Sequence, residues 1–237
     1  MSYLGSFFTG LFLLPLTLFA QTSLGIEGGL SNNSYHTNVS NRAATVLTSH
    51  TGISIGLPLD YTIHSWLHLA IDPGLVQKGY SMNRTDSLLG EYDQHVNTYL
   101  QLPVAVSFAY SWRRMRVNFD PGLYAAYWLA GRIKGQTADI FGITDNTSAN
   151  GQSSSSFSLS SYSGHYSFLA NRDNRWEFGW TLGLGLHYHL QGPIWLNAGV
   201  KFYEALTSQE KAAVSPIPAY NQTWIYVLGA SWVLKKL

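Results

Sequence analysis

Cysteine is absent from the 237-residue chain. That rules out a disulfide framework, thiolate chemistry, a thiolate metal site and lipidation at an N-terminal cysteine. Charge is scarce as well: Asp, Glu, Lys and Arg together make up 11% of residues, against roughly 25% in ordinary soluble domains. Something other than ionised side chains must cover the surface. A net charge of +1 supplies no basic field to hold nucleic acid, which is set aside as a partner. Long hydrophobic runs are missing too. Past the N-terminal segment, no stretch reaches the roughly 18 apolar residues of a helical span. If this chain lies in a membrane, it is not there as helices.

Aromatic residues are plentiful, with eight Trp and 15 Tyr. A ring with one polar edge suits a membrane–water boundary. At the N-terminus, the mostly apolar stretch from Phe7 to Phe19, ending in Ala20-Gln21, is too short to span and reads as the core of a signal peptide. The expected organisation is a signal peptide over residues 1–20 and one domain over residues 21–237.

After Gln21 a single pattern recurs, in which apolar and polar residues alternate between turn-forming clusters, the period of a strand with two unlike faces. The clearest case places Leu100, Leu102, Val104, Val106, Phe108 and Tyr110 on one face. Tyr99, Gln101, Pro103, Ala105, Ser107 and Ala109 occupy the other. From Glu177 to His189 the pattern returns, with Phe178, Trp180, Leu182, Leu184, Leu186 and Tyr188 alternating with Gly, Thr and His. Further strands are expected at Leu24–Ser34, Gly52–Tyr61, Trp66–Tyr80, Arg116–Arg132, Ile194–Ala205 and Thr223–Leu234, making eight. Asp72-Pro73-Gly74 and Asp120-Pro121-Gly122 fall inside two of these and are read as bulges or irregularities, because the alternation resumes beyond them.

The connections alternate in length. Thr62–Ser65, Ser111–Met115 and Gln191–Pro193 are short. Those after the odd-numbered strands are long and polar, the longest being Ile133–Arg175 with its Ser153–Ser156 tract. Short periplasmic turns opposite long extracellular loops are the plan of an outer-membrane barrel. The polar face is largely Gly, Ala, Ser and Asn, too small and too poor in charge for a solvated surface. It fits the crowded interior of an eight-stranded barrel. The small Gly183, Gly185, Gly199 and Ala105 would leave room inside for His68, Gln101, Tyr124, His187 and Lys201, while aliphatic rows meet lipid. Tyr110, Trp112, Tyr127, Trp128, Tyr188 and Trp195 are expected in the interfacial girdles. The fold class is thus all-β, an eight-stranded antiparallel transmembrane β-barrel in the bacterial outer membrane.

Several segments, in order along the mature chain, resemble the PorT-like outer-membrane β-barrel proteins common in Bacteroidetes. They are Gln77-Lys78-Gly79-Tyr80, Tyr99-Leu100-Gln101-Leu102-Pro103, Gly122-Leu123-Tyr124-Ala125-Ala126-Tyr127 and the run from Phe178-Gly179 to Gly183-Leu184-Gly185. The family's named member resembles a component of the type IX secretion machinery. The resemblance therefore implies a link to protein secretion and to envelope partners.

No catalytic, cofactor-binding or metal site is assigned. His187 and His189, two apart on one strand, share a face and could offer two imidazoles to one ion, with His68 or Glu177 as a third group. Hydrogen-bonded lumen histidines are the expected role. Glu27, Asp60, Asp72, Asp120 and Glu177 face Lys78, Lys201 and Arg132 in the expected interior, and ions kept from water need partners. They are expected to form a network that plugs the barrel. A lipid hydrolase needs Ser, His and a carboxylate together. Only His64-Ser65 and Ser163-Gly164-His165 bring the first two close, and neither has a fixed acid. The expected function is a closed, non-enzymatic barrel that engages envelope or secretion proteins and is surrounded by outer-membrane lipid. The alternatives are a narrow channel, a lipid-modifying enzyme and a soluble ligand-binding barrel.

Overall fold

The computed structural model describes residues 22–37, 45–85, 90–147, 153–211 and 218–234, so the expected signal peptide lies outside the described residues. The described residues form eleven strands in order: β1 Thr22–Thr37, β2 Thr45–Gly56, β3 Leu59–His64, β4 Leu67–Ile71, β5 Gly74–Arg84, β6 Tyr92–Trp112, β7 Met115–Thr147, β8 Ser153–His165, β9 Trp176–Gln191, β10 Ile194–Ala205 and β11 Ala219–Leu234. β2 with β3, and β4 with β5, each make one spanning stave. The staves pair antiparallel in a ring that runs from β1 through β11, β10, β9, β7, β6, the β5/β4 stave and the β2/β3 stave back to β1. The ring is therefore the expected eight-stranded barrel. Closure matches every residue of β1 with one of β11, from Thr22↔Leu234 to Thr37↔Ala219.

Prolines interrupt the ladder without shifting it. β4 meets β6 at Ile71↔Val104, and β5 resumes at Gly74↔Gln101, three residues on along each strand. Pro73 has no N–H to give, but its carbonyl accepts from Leu57 N–H at 2.9 Å, and Asp72 N–H donates to Pro103 O at 3.2 Å. Asp120-Pro121-Gly122 lies within an unbroken β7, paired with Gly183, Leu182 and Thr181 of β9 without a slip. Of the bulges or irregularities expected at the two Asp-Pro-Gly sites, the first is an irregularity, a gap with retained register, and the second is a regular ladder. A true bulge lies elsewhere: Tyr99 faces Trp128 while Thr98 faces Ala130, leaving Leu129 as an extra residue.

The faces are those the alternation implies. Leu100, Leu102, Val104, Val106, Phe108 and Tyr110 point out, Tyr110 with 75% of its surface exposed, while Tyr99, Gln101, Ala105, Ser107 and Ala109 are buried. In hydrocarbon the exposed row is the satisfied one. Tyr110, Trp112, Tyr127 and Tyr188 lie on this outer face, as expected of girdle residues. Trp128 does not. It is 2% exposed, because neighbours in a strand point opposite ways and Tyr127 takes the outward position. Trp195 is also turned inward, beside His189 and under the Arg116 guanidinium.

The expected long loop Ile133–Arg175 is mostly strand. β7 runs on past the barrel and pairs with β8 from Arg132↔His165 to Thr147↔Ser153, so the serine tract lies in a β-hairpin. Among the described residues β8 has β7 as its partner and ends the sheet.

Placing a charge on the outer face tests the topology. Leu102→Arg should destabilise the folded barrel in bilayers by about 2–4 kcal/mol, the cost of Arg near the midplane of a barrel's lipid face. Ala105→Ser, on the lumen side, should cost far less, as read by reversible denaturant unfolding in lipid.

Candidate functional site

The lumen is filled in tiers, and small residues make the space. A Cβ on Gly185 would sit 2.3 Å from Asn118 Oδ1, and one on Gly183 3.1 Å from Asp120.

Nearest the loop end lies an aromatic cap. Tyr35 stacks on Tyr80 with ring centroids 4.2 Å apart, and Tyr80 stacks on His95 at 4.9 Å. Trp128 holds Tyr166 and Phe168, each at 4.9 Å. Tyr166 and Phe168 come from residues 166–175, which leave β8 and cross this end of the barrel before β9. The crossing is pinned by Asp173. Its carboxylate accepts from Tyr166 Oη and Arg172 Nε, both at 2.8 Å, and from Leu169 N–H at 2.7 Å. Asn174 N–H to Gln209 O and Lys211 N–H to Arg172 O tie it to the β10–β11 connection.

Below the cap is a belt around one buried ion pair. Lys78, its side chain fully buried, donates to Glu177 Oε1 at 2.5 Å. Tyr124 Oη donates to the same oxygen at 2.9 Å, and Asn221 Nδ2 to the other at 2.7 Å. The ammonium lies 5.0 Å from the ring centroids of both Tyr99 and Tyr124, a cation–π arrangement. Asn33 extends the belt to β1, giving hydrogen bonds to Gly79 O and Asn221 Oδ1 and receiving one from Thr223. An ion pair this deep is tolerable only with its remaining hydrogen-bonding capacity met.

Under the belt Lys201 donates to both Glu27 and Asp72. A cavity of about 110 Å³ opens there, with Asp120, Asn118, Arg116 and His187 on its walls. Asp120 accepts from Asn118. At the turn end Asp60 takes His68 Nδ1 at 2.8 Å and Arg116 at 3.4 Å.

The expected charge network is therefore present, with one exchange. Arg132 is exposed on the outer face, and Arg116 takes its place in the lumen. Counting back in twos from Asp120 would have put Arg116 inside, and Asn33, Asn118 and Asn221 carry the same signal. His187 rests between Asn118 and Asn197, 2.7 Å from each, whereas His189 meets Gly192 O near the turn. The two imidazoles thus have separate partners, and among the described residues no cluster of three His, Asp or Glu is arranged to hold a metal. His64 lies 3.2 Å from Ser65 in an exposed turn. Ser163 and His165 are exposed on β8, away from the lumen carboxylates.

Residues 19–209 match the model of a family described as an outer membrane protein beta-barrel domain. Among solved structures the chain is similar to the outer membrane protein OprG from Pseudomonas aeruginosa (8% identity, TM-score 0.47, covering 90% of this chain and 96% of that one). It is also similar to Ail, the attachment invasion locus protein of Yersinia pestis (12%, 0.42, 90% and 99%), and to Neisserial surface protein A (9%, 0.43, 89% and 97%). No curated protein matches it.

Two outcomes test the tiers. Lys78→Met leaves Glu177 buried without its cation and should cost about 3–5 kcal/mol, while the Lys78→Met/Glu177→Leu pair should recover most of that in denaturant unfolding. In the cap, burial works to raise the Asp173 carboxyl, but hydrogen bonds from Arg172, the Leu169 amide and Tyr166 outweigh it and hold the group below the ordinary carboxylate range. Its support is complete above the unfolded value of about 3.9 and is lost as pH falls through the lower folded value. Protection of the Leu169 amide, measured against its intrinsic exchange rate at each pH, should fall over that acid window in the wild type and stay level in Asp173→Asn.

Proposed function

The chain belongs to the outer membrane beta-barrel family, whose place is the bacterial outer membrane, and from that premise we propose that it is a closed, non-enzymatic barrel that binds envelope proteins through its extracellular hairpin. One observation carries the reading. The lumen is crossed by the Lys78–Glu177 belt and covered by the aromatic cap, while β7 and β8 continue past the rim as a hairpin whose outer edge, among the described residues, has no strand beside it. An open strand edge is a template for another chain's strand. The resemblance to PorT-like proteins directs the choice of partner to protein secretion machinery.

A narrow channel is the second reading, favoured by the cavity beside Lys201, which has Arg116, Asp120 and His187 on its walls. For an ion to pass from that cavity to the loop end, Lys78 and Glu177 would have to separate and the cap would have to lift.

The experiment has two arms. In planar bilayers the purified barrel should give no sustained single-channel current; stepwise currents would favour the channel. In affinity purification from native membranes the full chain should bring down secretion components, and a variant with residues 137–160 replaced by a tight turn should fold but lose them. Unchanged partners in the trimmed variant would remove the hairpin from the mechanism.

A further inference from the structure

The bulge at Leu129 redirects charge. Below it the even-numbered residues of β7 point inward: Asn118, Tyr124, Ala126 and Trp128 are all buried. With unbroken alternation Arg132 and Lys134 would enter the lumen too. The extra residue reverses the parity. Gly131 and Gly135 become the buried positions, and Arg132 and Lys134 are exposed on the outside. They stand about 7 Å apart along the strand, just beyond the outward-facing Leu129.

Among the described residues neither forms an ion pair. Arg132 lies between Val96 of β6 and His165 of β8, and Lys134 between Gln94 and Ser163, none of them a carboxylate. A third cation joins from the start of β9. Arg175 is held in place by donating Nε–H to Trp128 O at 3.0 Å, with its guanidinium 4.5 Å from the Tyr127 ring and 4.3 Å from the Phe168 ring. Trp176 and Phe178 are exposed beside it, stacked 6.0 Å apart. Aromatic rings mark the interface, which puts the three cations at the depth of the outer leaflet's headgroups.

We infer that Arg132, Lys134 and Arg175 form a binding surface for the phosphate groups of outer-leaflet lipid headgroups. The arrangement suits that ligand. Arg presents a fork matched to phosphate oxygens, Lys adds a mobile point charge, and the acyl chains of the same lipid lie against Leu129, Trp176 and Phe178. Side chains aimed outward at headgroup depth meet lipid before any soluble anion. The surface is independent of the hairpin edge and of the closed lumen.

Native mass spectrometry of the mature chain, released from its own membrane in mild detergent, tests this. The wild type should carry a phosphorylated lipid adduct. Arg132→Gln/Lys134→Gln should reduce its occupancy about tenfold, whereas Arg113→Gln/Arg114→Gln at the opposite end should leave it unchanged. In nanodiscs, enzymatic removal of the headgroup phosphates should abolish the wild-type adduct, and inorganic phosphate should not displace it. Equal occupancy in the Arg132/Lys134 variant, or equal binding of dephosphorylated lipid, would overturn the assignment, and displacement by inorganic phosphate would reassign the surface to a soluble anion.

Discussion

Inside hydrocarbon a backbone N–H has no partner except another backbone group, and each one left over costs several kcal/mol. Every other feature of this barrel is arranged around that constraint. It demands a ring without edges, and the continuous pairing of β1 with β11 supplies the closure. It also explains how four prolines survive in spanning strands. A proline withholds a donor but keeps its acceptor, and at Pro58, Pro73 and Pro103 the carbonyl is taken up by Gly25, Leu57 and Asp72 respectively. The register passes through unshifted, so both faces keep their character.

Closing only eight strands leaves an interior scarcely wider than its own side chains, and the composition follows from that width. Glycine makes room for some of the large inward groups, as Gly185 does for Asn118 and Gly183 for Asp120, while near the cap two rings, Tyr99 and Trp128, face each other and stack. The charges cannot be solvated by bulk water, so they are paired in tiers. Lys78 is matched by Glu177, Lys201 by Glu27 and Asp72, and Asp60 by His68 and Arg116. Because each tier draws on several staves, the packing ties the wall together across the lumen as the ladder does around it.

The alternation made the barrel legible in the sequence, because lipid outside and a filled lumen inside impose opposite chemistry on successive residues. Strands such as Ile194–Ala205 were readable to the residue, and so were the inward positions of His68, Gln101, Tyr124, His187 and Lys201. What escaped was governed by geometry that leaves no compositional trace. A single extra residue at Leu129 reversed the parity above it, so Arg132 was read as internal. Trp128 was read as a girdle residue because an aromatic suits an interface and a lumen cap equally well. The polar Ile133–Arg175 stretch looked like a loop because serine-rich strands in water lack the apolar rows that announce those in lipid. No periodicity names a partner, so the role of the hairpin had no sequence signature beyond the family resemblance.

The seam between β1 and β11 joins the first and last described strands. Thr22 and Leu234 become neighbours although all the other described strands lie between them in sequence, the costliest kind of contact to form, since loop-closure entropy is spent before any bond rewards it. β1 emerges from synthesis long before its mate and stays one-sided until β11 arrives. During transit the polypeptide therefore exists as a ribbon with two adhesive margins, greasy on one surface and vulnerable to aggregation. Its biogenesis calls for an escort that shields both margins and a machine at the membrane that brings them together.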